Sequence, residues 1–174
     1  MMSEFVELET EVLGEEEEKM GSLNHSMVQG QITGILFADK RFRIMPELSL
    51  DMSALDLSQF GLKAKNELKP DISIYPNTLK GKARDVPRLS EIPLLAIEVI
   101  SLNQTHDQLL TKFDGYFALG VKSCWLVMPM FKSIAVYSQP DKFRMFDMND
   151  SEVIDEALDI KLSMQEIFAN IFDW

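Results

Sequence analysis

Apolar residues recur at helical spacing in three stretches of this chain, and each stretch predicts a helix. The stretches are residues 25–36, 103–119 and 162–174. Side chains three and four positions apart share one face of a helix, so each stretch can pack one side against a core. The expected apolar faces are Val28, Ile32 and Ile35 or Leu36 in the first, Leu109, Phe113, Tyr116 and Phe117 in the second, and Leu162, Ile167, Phe168 and Ile171 in the third. The residues expected to bound these helices are Ser22 or Asn24, then Gly120, then Ser163 with Glu166.

Shorter runs of β-branched and aromatic residues predict the strands. Residues 94–100 are almost all apolar, which is typical of a central strand that is buried on both faces. Residues 42–50 alternate but contain Pro46, which favours an edge or bulged strand. A predicted helix separates residues 94–100 from the apolar run 123–129, so these two strands are expected to be parallel. The remaining strands are predicted at residues 72–75 and 133–137 and around Phe143 and Phe146.

The order of these elements predicts an α/β fold with a mixed central β-sheet flanked by helices. The length fits a single domain over residues 1–174, in which residues 1–21 form an acidic N-terminal segment. We expect a cytoplasmic protein with no membrane segment, because the chain has no apolar run of about 20 residues and residues 1–18 do not resemble a signal peptide. Cys124 lies among apolar residues and is expected to be a buried structural thiol.

The net charge of −11 opposes attraction to nucleic acid, but the charge is unevenly distributed. Residues 63–88 carry seven lysines and arginines against three acids. One interpretation of this basic stretch is a solvated loop, and the other is a rim that faces phosphate groups beside a reactive site. The basic residues are Lys63, Lys65, Lys69, Lys80, Lys82, Arg84 and Arg88.

Two acidic residues stand in the predicted apolar strands. Asp71 begins the strand at residues 72–75, and Glu98 lies in the middle of residues 94–100. A buried carboxylate is costly unless it is paired or binds a metal, and Mg²⁺ favours carboxylate and carbonyl oxygens. The pair therefore predicts a Mg²⁺ or Mn²⁺ site with Asp71, Glu98 and the main-chain carbonyl of Val99 as ligands. The structural alternative is that Asp71 caps a turn after Pro70 and that Glu98 pairs with a lysine.

The helix after Glu98 provides a candidate cation. Lys112 and Tyr116 are four residues apart on it and share a face, so an ammonium group there can orient water or neutralise charge on a phosphate. An exposed helix lysine is the alternative. Gln108 is a candidate for the same face or for solvation, Glu47 for a further metal ligand, and His25 for a contact from the first helix or for an exposed or capping role.

Taken in order, these motifs resemble one family. The set resembles the Uma-two family of putative restriction-endonuclease-like proteins, which are bacterial members of the PD-(D/E)XK nuclease superfamily. The resemblance extends from about residue 25 to residue 137 and implies a restriction-endonuclease-like fold, with Asp71 and Glu98 as metal ligands and Lys112 as the catalytic lysine. The residues that carry it are Lys69, Pro70 and Asp71, then Pro93 to Ser101 around Glu98, then Lys112, Tyr116, Gly120, Val121, Trp125, Leu126, Val127 and Pro129.

The chain departs from the pattern of that family at four places. Ile100 stands where a lysine usually follows the second acid, and Lys112 takes over that role in the family. Ser123 and Cys124 replace an acid–aromatic pair, Met128 replaces an aspartate, and Gln108 replaces an acid one turn before Lys112.

These observations predict a Mg²⁺-dependent endonuclease that hydrolyses DNA phosphodiester bonds. A catalytically inactive nuclease-fold protein that acts as a binding or scaffold module is the alternative, and a small-molecule phosphate hydrolase is a third class. Cutting both strands of a duplex calls for two sites, so a homodimer is expected.

Overall fold

The computed structural model describes residues 21–64 and 66–172. Apart from Gly21, the acidic N-terminal segment lies outside the described residues, as do Lys65 and residues 173–174. The helices are α1 (Leu23–Phe37), α2 (His106–Leu119) and the one-turn α3 (Met164–Ile167), with 3₁₀ turns at Leu57–Phe60 and Pro129–Phe131. The strands are β1 (Phe42–Pro46), β2 (Leu50–Asp51), β3 (Glu67–Leu68), β4 (Ile72–Pro76), β5 (Leu95–Val99), β6 (Ser123–Met128), β7 (Ser133–Gln139), β8 (Lys142–Phe146), β9 (Glu152–Asp155) and β10 (Ile160–Ser163).

Six of these strands form one mixed sheet in the order β1-β4-β5-β6-β7-β8. Strands β5 and β6 are parallel, as the intervening helix predicts, and the other neighbours are antiparallel. All five residues of β5 are buried, so its expected central position is confirmed. The proline-containing β1 and the aromatic β8 are the two edge strands, in agreement with the sequence.

The sheet separates two apolar cores. On one face, α1, the β9–β10 hairpin and α3 pack against alternate sheet residues such as Ile97 and Trp125. On the other face, α2 and the Leu57–Phe60 turn cover Tyr75, Ala96 and Leu126. The alternation along β5 therefore points Ala96 and Glu98 toward α2 and points Ile97 and Val99 toward α1.

Capping interactions fix where α1 and α2 begin and end. The Ser22 hydroxyl accepts a hydrogen bond from the His25 amide, which makes Ser22 rather than Asn24 the N-cap of α1. Thr105 and Gln108 form a capping box at the start of α2, three residues later than the sequence predicts. Gly120 ends that helix at φ +115°, a conformation that strains any residue with a Cβ.

The predicted C-terminal helix is wrong in extent. Only Met164–Ile167 is helical, although Ser163 is its N-cap as expected, and Asn170 has a positive φ that is incompatible with continuing the helix. Leu162 belongs to β10, where it pairs with Val153. The β9–β10 hairpin was not predicted, because its apolar positions are few and are masked by an acidic stretch.

None of the described helices is long and apolar enough to cross a membrane. The thiol of Cys124 is free and buried, as its sequence context predicts. Burial raises the pKa of that thiol well above its usual value, so it stays protonated inside the core.

Candidate active site

Strand pairing places the two acids opposite each other. In the antiparallel pair of β4 and β5, Ile72 lies across from Ile97, so the next step of the same register sets Asp71 across from Glu98. Asp71 directly precedes β4, and Glu98 is the fourth residue of β5. Directly opposed residues of an antiparallel pair have Cβ atoms about 5 Å apart, which is close enough for both carboxylates to meet one ligand.

Contacts from three elements hold Asp71 in place. Its Oδ2 atom accepts a 2.7 Å hydrogen bond from the amide of Val99 and lies 3.1 Å from Nε2 of His25. Its main-chain carbonyl accepts hydrogen bonds from the Gln29 side chain and from the Glu47 amide, both at 3.0 Å. The Asp71 side chain is 18% exposed. This carboxylate therefore reaches solvent from a fixed position, and its side chain bonds the end of β5 instead of capping a turn after Pro70.

Glu98 is the more deeply buried acid. The residue is 2% exposed, and its Oε1 atom accepts a 2.6 Å hydrogen bond from the Tyr116 hydroxyl. Burial raises the pKa of Glu98 to about 8, and the adjacent Asp71 carboxyl, which lies within hydrogen-bonding reach, acts in the same direction. The Lys112 ammonium and the Tyr116 hydroxyl lower that pKa but do not offset the burial. The nearby positive charge and hydrogen bond do not balance the cost of ionising this buried acid, so Glu98 differs from an acid that is simply paired with a lysine.

Helix α2 brings two side chains to the acids. Tyr116 is fully buried, and burial raises the pKa of its phenol well above the usual value, so the hydroxyl remains a donor to Glu98. Lys112, one turn earlier and partly buried, is close enough to act electrostatically on Glu98. Ile100, two residues after Glu98, is partly buried and packs at the edge of the α2-side core. The positively charged side chain near the two acids is therefore provided by α2 and not by β5.

The other candidates are distributed unevenly around the site. His25 is buried and contacts Asp71, so its predicted exposed role is wrong. Its position three residues before Val28 was the available signal, because that spacing puts it on the buried face of α1. Gln108 completes the capping box of α2 with its side chain. Glu47 contributes its amide, at φ +54°, while its side chain is exposed.

The donor set suits a small divalent cation. Within residues 21–64 and 66–172, no three or more His, Cys, Asp and Glu side chains cluster as a ready ligand set. Two carboxylates and the carbonyl of Val99 are nevertheless compatible with Mg²⁺, which commonly binds one or two carboxylates and retains several waters. The shared hydrogen bond and the raised pKa of Glu98 show a pair of acids that a cation would relieve.

Comparison with protein-family models gives a match over most of the chain. The model of the Uma2 (Uma-two) family, described as a putative restriction endonuclease, matches residues 6–165. The chain belongs to the Uma2 family. No curated protein matches it.

A solved structure shares the fold of this Uma2 protein. The crystal structure of a putative nuclease belonging to DUF820 from Anabaena variabilis superposes with a TM-score of 0.70 and covers 88% of this chain and 84% of that chain. At 18% identity the likeness is one of fold. The mixed sheet flanked by helices is therefore a restriction-endonuclease-like α/β fold, as the sequence predicts.

Proposed function

We propose that this Uma2 protein is a Mg²⁺- or Mn²⁺-dependent endonuclease that hydrolyses DNA phosphodiester bonds. The observation that carries the proposal is the pair formed by buried Glu98 and solvent-reaching Asp71 on adjacent strands of a nuclease-family fold. A structural acid pair would have little reason to keep one member open to solvent and the other short of positive charge.

The residues divide into ligands and supporting groups. Asp71, Glu98 and the main-chain carbonyl of Val99 would hold the cation. When bound, a divalent cation there polarises a phosphate and lowers the pKa of a water nucleophile. The Tyr116 hydroxyl orients the Glu98 carboxylate through its 2.6 Å hydrogen bond, and His25 orients Asp71.

Lys112 supplies the fixed positive charge of the site. Its ammonium group is placed to neutralise charge that develops on the phosphate and to orient the attacking water. In the free protein the same charge favours ionisation of Glu98 and thus opposes the effect of burial. This double role explains why a lysine is needed on α2 when β5 carries Ile100.

Cleavage of supercoiled plasmid DNA in Mg²⁺ or Mn²⁺ tests the proposal. We expect wild-type protein to nick or linearise the plasmid, and Asp71→Asn and Lys112→Gln to lose at least about 100-fold in rate. Glu156→Gln, a change of an exposed acid, and Lys122→Gln, a change of an exposed lysine, are the matched controls and should cleave normally. Equal cleavage by Asp71→Asn and wild type would refute the assignment.

A catalytically inactive binding or scaffold protein is the second candidate. The net charge of −11 favours it, because that charge opposes association with DNA. Metal binding without cleavage of DNA, RNA or small phosphate esters would select this candidate, whereas turnover of small esters alone would indicate a small-molecule hydrolase. The homodimer stays a prediction, and light scattering of the purified chain tests it.

A further inference from the structure

A cavity of about 510 Å³ opens at the far end of β4 from Asp71. Its polar and basic lining comes from the last residues of β4 and from the connection between β4 and β5, and we call it the basic cavity. Its lining includes Tyr75, Thr78, Lys80, Lys82, Glu91 and Ile92.

The exposed side chains of the basic cavity are the ones that can meet a ligand. Thr78, Lys80 and Lys82 line the cavity and are exposed, whereas Tyr75 is 1% exposed and its hydroxyl is enclosed by the protein. A hydroxyl donor beside lysine ammonium groups matches the oxygens of a phosphate.

The charges around the basic cavity continue along the exposed loop. Lys80 and Lys82 line the cavity, Arg84 follows two residues later, and all residues from 80 to 88 are exposed. Lys82 lies 3.5 Å from Glu91, and both side chains are about half exposed. An exposed pair of this kind is weak, so a phosphate can compete with Glu91 for the lysine.

The distance along β4 between Asp71 and the basic cavity favours a polymeric ligand over a small phosphate compound. Asp71 and Tyr75 are four residues apart on the same face of the strand, which corresponds to about 13 Å. One phosphate cannot reach both sites. A nucleic acid strand can, since its phosphates repeat about every 3.4 Å along a duplex axis.

We propose that the basic cavity binds a backbone phosphate of the DNA whose scissile bond reaches Asp71 and Glu98. The inference rests on the proposed function and adds to it a second contact, about 13 Å from the acids along β4. Thr78 would donate a hydrogen bond to the phosphate, and Lys80 and Lys82 would provide the charge. The exposed basic stretch is on this view a phosphate-facing rim, which resolves the two interpretations that its sequence allows.

Salt-dependent binding of a short duplex of arbitrary sequence, measured in EDTA so that no cleavage occurs, tests the inference. Between about 50 and 200 mM salt, the slope of log affinity against log salt should become shallower by about 2 in Lys80→Gln/Lys82→Gln. The control Lys142→Gln/Lys161→Gln removes two exposed lysines elsewhere and should keep the wild-type slope. Glu91→Gln should change affinity in the opposite direction and tighten binding, because it frees Lys82.

Thr78→Val separates the hydroxyl of the cavity from its charges. It should weaken duplex binding by about tenfold with little change in salt slope. Its melting temperature should be unchanged, because Thr78 is exposed, so a loss of binding would not reflect unfolding. Unchanged duplex affinity in this variant would contradict the hydrogen bond assigned to the cavity.

Further outcomes separate this inference from the proposed function. Wild-type protein that binds no duplex overturns both. The phosphate contact alone is overturned if wild-type protein cleaves DNA but Lys80→Gln/Lys82→Gln has the same salt slope of duplex affinity as the control Lys142→Gln/Lys161→Gln. The double variant could instead lose binding of inorganic phosphate while its salt slope of duplex affinity stays unchanged. That result would assign the cavity to a small anion and would also overturn the inference. Calorimetric Mn²⁺ binding should be the same in the double variant and in wild type, because neither lysine touches the acids.

Discussion

Two buried carboxylates on opposite faces of the same sheet are treated very differently by their neighbours. Asp155 is 1% exposed and accepts hydrogen bonds from the Ser123 hydroxyl at 2.5 Å and from Nε1 of Trp125 at 2.8 Å. Glu98 is equally buried, but it accepts a hydrogen bond from the Tyr116 hydroxyl and lies beside a second acid. Both acids lie against residues of apolar strands, so burial alone does not distinguish them.

The difference separates a structural acid from a reactive one. The donors on Asp155 tie the β9–β10 hairpin to β6, and two donors to one charged group are a stabilising arrangement. Ser123 also explains one departure from the family pattern, since an acid at that position would place a like charge against Asp155. Ionisation of Glu98 beside Asp71 would instead leave negative charge under-compensated, and a bound cation would relieve it.

The largest expected effect is a pH dependence that belongs to Glu98. Its pKa of about 8 in the folded protein exceeds the usual 4.5, so between these values the folded state binds the extra proton. The free energy of unfolding should therefore fall as pH rises through this window, by roughly 1 kcal/mol per pH unit. Urea denaturation in EDTA at several pH values measures it. Glu98→Gln should remove the slope, and Glu156→Gln should keep it.

Asp155→Ala should destabilise the protein by about 3 kcal/mol, because it leaves the buried Nε1 donor of Trp125 without an acceptor and leaves the Ser123 hydroxyl with the Tyr137 carbonyl, 3.3 Å away. Urea denaturation measures the loss, and Glu152→Ala, an exposed change on the same strand, is the control. Folded Asp155→Ala should bind Mn²⁺ as tightly as wild type. A large loss of Mn²⁺ affinity in this variant would contradict the assignment of Asp155 as a purely structural acid.

Tyr116→Phe should weaken Mn²⁺ binding by about tenfold while leaving the fold intact, because the hydroxyl only orients Glu98. Tyr137→Phe is the matched control, since Tyr137 belongs to the same core cluster and its ring stacks on Phe143. Calorimetry of both variants tests the difference. Equal affinities would mean that the hydrogen bond does not prepare the carboxylate for metal.

The sequence predicts the main residues of this site because the periodicity of strands and helices shows which side chains share a face. Asp71 and Glu98 interrupt apolar runs, and Lys112 and Tyr116 share a helix face, so local patterns suffice to name them. The mixed sheet follows similarly from the order of apolar runs. Their roles as ligands and catalysts stay predictions.

Local sequence patterns could not predict the long-range contacts of the molecule. The contact between His25 and Asp71 joins residues that are 46 positions apart, and only the fold brings them together. Asp155 was hidden in an acidic stretch, and its donors on β6 become visible only once the hairpin packs over Trp125. The predicted C-terminal helix failed because the apolar positions of β10 extend the helical pattern by coincidence.

Isothermal titration of Mn²⁺ into metal-free wild type, Glu98→Gln and Glu156→Gln tests the central claim most directly. We predict one Mn²⁺ site in wild type and in Glu156→Gln, and loss of that site in Glu98→Gln despite an intact fold. Undiminished binding in Glu98→Gln, or no binding in wild type, would contradict the claim that Asp71 and Glu98 together hold a cation.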